Sequence, residues 1–217
     1  MKKIFLLLGV FLIFSQFIGA QQNEILNHPL NTGNIDTFRA VCARIARHPF
    51  IKGTFEQEKI ISRLNRSMNS SGSFIITSNL GMVWETINPF PSTLVLGRDF
   101  MIQSRPGSQR TVLSAQGNET FQGMAQVIGG VFSGNAASLE NNFEIFFTGN
   151  ISSWEMALIP RDKTISSFAQ RISMRGSDVI RVIYISEQNG DSIIYTLLNH
   201  TFPASLTAGE TALFSLP

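Results

Sequence analysis

The residues of this chain that are able to do chemistry are few and scattered. Glu56 and Glu58 stand two apart in an alternating stretch, so a strand there places both carboxylates on one face. Such a pair is one arrangement for general acid–base work. Lys59 and Arg63 follow directly, and mixed charges of this kind describe a solvated sheet edge more simply than a catalytic site. His28, His48 and His200 lie far apart, and they make no metal-ligand spacing with one another or with Cys42. His48 precedes Pro49 at the end of a helical pattern, where a cation suits the helix dipole. No Gly-x-Ser-x-Gly elbow, phosphate-binding loop or dinucleotide fingerprint occurs. Nothing here calls for a metal or a cofactor. The weight falls on a binding module rather than an enzyme, with an undetected hydrolase as the remaining catalytic alternative.

The lone cysteine cannot close an internal disulfide. Cys42 falls on the apolar face of a predicted helix, so it is expected to be buried as a small hydrophobe. The fold must then rest on its core alone, to which 18 Phe in 217 residues contribute heavily.

The elements that would position these side chains follow from period and turn chemistry. Residues 21–33 are polar and loop-like. A helix is predicted to start at Asn34 or Asp36, to carry Phe38, Val41, Cys42 and Ile45 on one face, and to stop before Pro49. The period then changes to two. Strands are predicted at Phe50–Ser62, Ser73–Ser78, Met82–Ile87, Ser92–Leu96 and Phe100–Gln103, with a turn at Asn69-Ser70-Ser71-Gly72. Between Asn118 and Ser133 the apolar residues Phe121, Met124, Ala125, Ile128, Val131 and Phe132 return to helical spacing. Gly123, Gly129 and Gly130 lower the stability of that helix by about 1 kcal/mol each relative to Ala. A weak helix inserted into a sheet is either a moving part or a plug for the core, and the period alone leaves both readings open. Ala136–Asn141 forms a short second helix. Strands resume at Phe143–Thr148, Ser153–Ile159, Ile165–Met174, Val179–Glu187 and Ser192–Asn199, with an Asn189-Gly190 turn before the last. The fold class is therefore α+β, mainly antiparallel β, in a sheet of about ten to eleven strands, large enough to curl.

Lys2 and Lys3, the apolar run Ile4–Phe14 and the small pair Gly19-Ala20 have the layout of a cleaved secretory signal over residues 1–20. The run is shorter than the roughly 20 residues a spanning helix needs. The remainder, 21–217, is expected to form one domain, and no linker or repeat divides it. Residues 1–20 hold two of the 17 basic residues and no acidic ones, so 15 of each sign remain. Without a basic cluster, nucleic-acid binding has no electrostatic basis.

Four stretches resemble a known family. Thr54-Phe55-Glu56-Gln57-Glu58-Lys59 is similar to the Phe-x-Gln-x-Lys opening of outer-membrane lipoprotein carriers of the LolA family. Ser71-Gly72-Ser73-Phe74 resembles that family's Gly-x-Phe strand, Gly81-Met82-Val83-Trp84 its Gly-x-x-Trp strand, and Pro89-Phe90-Pro91 the segment that follows. The resemblance implies a half-open, incomplete β-barrel with an N-terminal helix and an inserted helical lid. It implies a monomeric periplasmic carrier that takes acylated lipoproteins from an inner-membrane ABC transporter to an outer-membrane acceptor. A lipid cavity would be formed by Phe55, Phe74, Ile76, Met82, Trp84, Leu94 and Leu96, under a lid carrying Phe121, Met124, Ile128, Val131 and Phe132. Ordinary core packing is an equally open reading of Phe55, Phe74, Met82 and Trp84. Relatives often carry an arginine before the tryptophan strand that latches the lid; here Thr77-Ser78-Asn79 stands instead. A module of the same fold for another lipid or for an envelope protein is the alternative function.

Overall fold

The computed structural model describes residues 24–215 apart from 115, 117 and 118, and it leaves the side chains of residues 119–121, 124, 126 and 128 outside that description. The expected signal at residues 1–20 lies outside the described residues. A helix, α1 (Ile35–Ile45), leads into six strands: β1 (Phe50–Ile61), β2 (Arg66–Thr77), β3 (Gly81–Asn88), β4 (Ser92–Leu96), β5 (Phe100–Ser104) and β6 (Thr111–Ser114). Two helices follow, α2 (Glu119–Phe132) and α3 (Ala136–Asn142). Then come β7 (Phe143–Asn150), β8 (Ser153–Pro160), the single turn α4 (Lys163–Ser166), β9 (Arg171–Gly176), β10 (Ile180–Ser186), β11 (Ser192–Thr201) and α5 (Ala208–Ala212).

The eleven strands form one antiparallel sheet in the order β6-β5-β4-β3-β2-β1-β11-β10-β9-β8-β7. Its ends, β6 and β7, do not pair among the described residues, so the sheet is an open, half-closed barrel as expected. The order also shows why helices stand where they do. The chain reaches one edge at β6 and must restart at the opposite edge with β7, and α2 and α3 make that crossing.

Register assigns every strand residue to a face, because alternate side chains point to opposite sides. The inward row runs through Leu94↔Trp84, Trp84↔Phe74, Tyr195↔Ile183, Ile183↔Met174 and Met174↔Met156. This concave band packs with α1 (Phe38, Val41, Cys42, Ile45), with α2 (Val131) and with α3 (Leu139) into the main core. The opposite parity puts Val83, Val95 and Ile102 on the convex face, where Phe214 covers them. Phe146 and Ala157, also convex, are covered by Ile25. The segment before α1 also lies along the outer edge of β7: the Phe147 N–H donates to the His28 carbonyl and the Leu30 N–H to the Ile145 carbonyl, both at 2.8 Å.

Several boundaries differ from the sequence reading. The expected turn at Asn69-Ser70-Ser71-Gly72 lies inside β2, which pairs with β1 residue by residue from Ile61↔Arg66 to Phe50↔Thr77. The true turn is a 3-10 turn at Ser62–Leu64, closed by Asn65 at φ 48°. Long cross-strand pairing overrides a turn-like composition. Gly72 serves close approach instead: a Cβ there would collide with the Glu85 carbonyl and the Phe55 ring. The predicted strand Ile165–Met174 begins only at Arg171. Asp162 caps α4 in its place, its carboxylate accepting the N–H groups of Thr164 (2.7 Å) and Ile165. The short β6 and α5 were not expected. Asn34 stands at the start of α1 but does not cap it; its amide donates to the carbonyls of Pro29 and Phe147, tying the helix entry to β7.

Candidate functional site

An apolar cavity of about 190 Å³ lies between the concave sheet face and α2. Met82, Trp84 and Leu94 form one wall, Ile172, Met174, Ile183, Ile185 and Tyr195 the other, and Val127, Val131 and Phe132 of α2 the roof. The strands supply this wall because apolar residues recur at every second position on both halves of the sheet. The helix supplies the roof because its crossing brings it over the middle of the band.

Aromatic rings fix the floor. Trp84 stacks on Phe55 at 4.1 Å between centroids and near-parallel to Phe74 at 5.8 Å, and it meets Tyr195 edge-on at 5.2 Å. Burial pushes the Tyr195 phenol up to about 12, with Glu187 adding to the effect, so the ring stays neutral at neutral pH. Phe74 also meets His200 edge-on at 5.7 Å.

The sequence-predicted site residues separate into groups. Met82, Trp84 and Leu94 reach the cavity. Phe55 is buried behind Trp84 and is not among the lining residues. Phe74 and Ile76 lie beside it around a gap of about 10 Å³ shared with Phe132 and His200. Ile76 and Leu96 form the floor of a neighbouring cleft. Of the lid residues, Val131 is buried and Phe132 half-buried at the roof, whereas the side chains of Phe121, Met124 and Ile128 lie outside the described residues. The far wall, from Ile172 to Tyr195, was not nominated from sequence. Its signal was the i, i+2 spacing of Ile172 with Met174 and of Ile183 with Ile185, on strands whose facing only the register reveals.

The neighbouring cleft, about 420 Å³, opens between the β2–β3 turn, the β4–β5 turn and the C-terminal end of α2. Phe132 lines both spaces. Arg98 holds the two turns together, its Nε donating to the Asn79 carbonyl at 2.6 Å. The Thr77 hydroxyl accepts the N–H groups of Leu80 and Gly81 and so fixes the turn that presents this carbonyl.

The groups able to do chemistry are dispersed over the described residues. Glu56 and Glu58 are exposed on the convex face. No cluster of three or more His, Cys, Asp or Glu suited to a metal occurs among the described residues. Cys42 is buried, and its thiol is pushed up to about 12 by burial. No helix among the described residues is long and apolar enough to cross a membrane.

His200 gives the site a pH signature. Burial, with Arg181 adding to it, holds its imidazole below the ordinary value of 6.5. The unfolded chain therefore takes up a proton that the folded state resists. The stability this group confers is complete above pH 6.5 and is lost progressively as pH falls below it. Melting temperatures followed from neutral to mildly acidic pH should decline less in His200→Gln than in the parent. Parallel profiles would assign the decline to other groups.

No functionally curated protein matches the chain. A DUF1329-family protein from Desulfovibrio piger shares the fold at a TM-score of 0.50 and 9% identity, over 84% of this chain and 96% of that one. A LolA superfamily protein from Nitrosomonas europaea aligns at a TM-score of 0.47 and 9% identity, over 83% and 98%. A putative outer membrane lipoprotein-sorting protein domain from Vibrio parahaemolyticus aligns at 0.45 and 12% identity, again over 83% and 98%. The model of the family described as outer membrane lipoprotein carrier protein LolA-like matches residues 33–213. That span contains α1, all eleven strands and both crossing helices, and the chain belongs to this family.

Proposed function

We propose that this chain is an exported carrier that shelters the acyl chains of lipoproteins between its concave sheet and α2. In this reading residues 1–20 are a cleaved signal, the remainder works in the periplasm, and cargo passes from an inner-membrane ABC transporter to an outer-membrane acceptor. The observation that carries the reading is the unfilled apolar space under α2 in a chain that keeps 14 of its 18 Phe beyond residue 20.

Size sets the mechanism. An apolar cavity of about 150 Å³ takes a ligand of about the size of benzene, whereas ligand sites commonly span about 300–1,000 Å³. The present 190 Å³ is thus a resting volume, and complete acyl chains enter only when α2 lifts. The helix is built to yield. Gly129 faces open space, and Gly130 lets Leu139 of α3 approach to 3.2 Å of where a Cβ would stand. Transfer of acyl chains gains about 0.8 kcal/mol per buried CH₂. Reclosure of α2 opposes that gain and keeps the cargo releasable.

The test is extraction of an acylated lipoprotein from inner-membrane vesicles, read as soluble carrier–lipoprotein complex with and without ATP. Phe132→Asp, which places a charge in the roof, should lower the yield at least tenfold with the far-UV spectrum unchanged. Failure of the parent protein to hold any lipoprotein would overturn the carrier reading, and an unaffected Phe132→Asp would overturn the role of α2.

A further inference from the structure

We infer that the cleft beside the cavity seats the oxygen-bearing head of an acylated ligand, and that Arg98 is the group that reads it. This rests on the reading that the cavity takes acyl chains, and it adds which end of the ligand is recognised and where.

The two spaces differ in chemistry and share a wall. The cavity is apolar throughout, apart from the neutral edges of Trp84 and Tyr195. The cleft has an apolar floor of Ile76 and Leu96, but its rim carries Ser78, Asn79, Ser133 and Asn135. Arg98 is the only ionisable residue among the described residues lining it. Met82 of the cavity and Leu96 of the cleft are direct cross-strand partners, and Phe132 lines both spaces. An amphiphile laid across the Met82–Leu96 pair would therefore have its tail against Trp84 and its head at the rim.

Arg98 is available for that head. Its Nε is engaged by the Asn79 carbonyl, and among the described residues no carboxylate lies within ion-pair distance of it. The Nε contact fixes the plane of the guanidinium and leaves its two terminal nitrogens as donors. A guanidinium held in this way suits an acceptor oxygen, a carboxylate most strongly and an ester or amide carbonyl less so. Both kinds of oxygen stand next to acyl chains, the first in a fatty acid and the second in the acylated residue of a lipoprotein.

The experiment measures Kd by calorimetry for dodecanoate, its methyl ester and dodecanol, with Trp84 fluorescence reporting entry into the cavity. Arg98→Met is compared with the parent protein and with Arg175→Met, which removes a cation from the convex face. The tail contribution is common to all three ligands. Arg98→Met should weaken dodecanoate about tenfold, the effect of one charge-assisted hydrogen bond. It should weaken the methyl ester about threefold and leave dodecanol within about twofold. Arg175→Met should change none of them. Loss confined to dodecanoate identifies an acid head, and loss that includes the ester identifies a carbonyl neck. Equal affinities in the parent and Arg98→Met, or an equal loss for all three ligands, would overturn the inference while dodecanol binding upholds the acyl cavity. Absence of binding by any of the three to the parent protein would overturn both.

Discussion

Replacing Ile183 with Trp is expected to abolish acyl binding without unfolding the protein. Ile183 is half-buried on the concave face, opposite Tyr195 and Met174, and it lines the cavity. A larger ring there projects into empty space, so the strain that usually follows overpacking is absent. The added apolar area comes out of water and contributes at about 25 cal/mol per Å². Affinity for an acyl probe should fall by tenfold or more, while the melting temperature holds or rises. Ile183→Ala supplies the opposite sign. It should lower stability by about 2 kcal/mol through lost packing yet retain the probe, because the cavity widens. Retained binding in Ile183→Trp would show that the ligand lies elsewhere.

The largest loss of stability is expected at Phe55. This ring is 1% exposed, stacks on Trp84 at 4.1 Å and meets Tyr195 edge-on at 6.3 Å. Phe55→Ala should cost about 3–5 kcal/mol, a large share of the 5–15 kcal/mol typical of a folded protein. With a urea dependence of about 2 kcal/mol per molar, the midpoint moves down by about 2 M. Phe90 provides the contrast. It stands 77% exposed in the β3–β4 connection, and Phe90→Ala should stay within about 0.5 kcal/mol of the parent. Urea curves for the two variants that coincide would contradict the assignment of Phe55 to the core beneath the cavity.

Periodicity made much of this molecule legible. Most strands, α1 and the crossing helices were expected from the alternation of two and the return to 3.6, and β4 was bounded at Ser92–Leu96 as observed. Composition misled where pairing decides structure. The Asn69–Gly72 stretch has the residues of a turn, but twelve consecutive partners on β1 hold it straight. Ile165 reads as the opening of a strand because an apolar residue in an alternating run looks the same whether or not Asp162 caps a helical turn there. For the cavity, one half of the wall was legible in the motif-bearing strands and the other was not. Which residues of β9, β10 and β11 face inward depends on registers set by partners distant in sequence, and the pairing of β1 with β11 unites the ends of the chain. Phe55 illustrates the same limit: its period places it on the concave face, but only Trp84 lying over it separates floor from lining.

The two margins of the sheet are not equivalent, and this limits how copies of the protein can associate. Along β7, the backbone of residues 28–30 pairs with residues 145–147 and occupies the middle of that edge. At the other margin no strand pairs with the outer edge of β6 among the described residues, and Val112 is 43% and Leu113 37% exposed. Head-to-tail stacking, in which the β6 of one molecule adds to the β7 of the next, meets that occupied stretch. The pairing still permitted is β6 against β6 about a twofold axis, which consumes the open edge of both molecules. Addition of strands at the β6 edge would thus close at a pair.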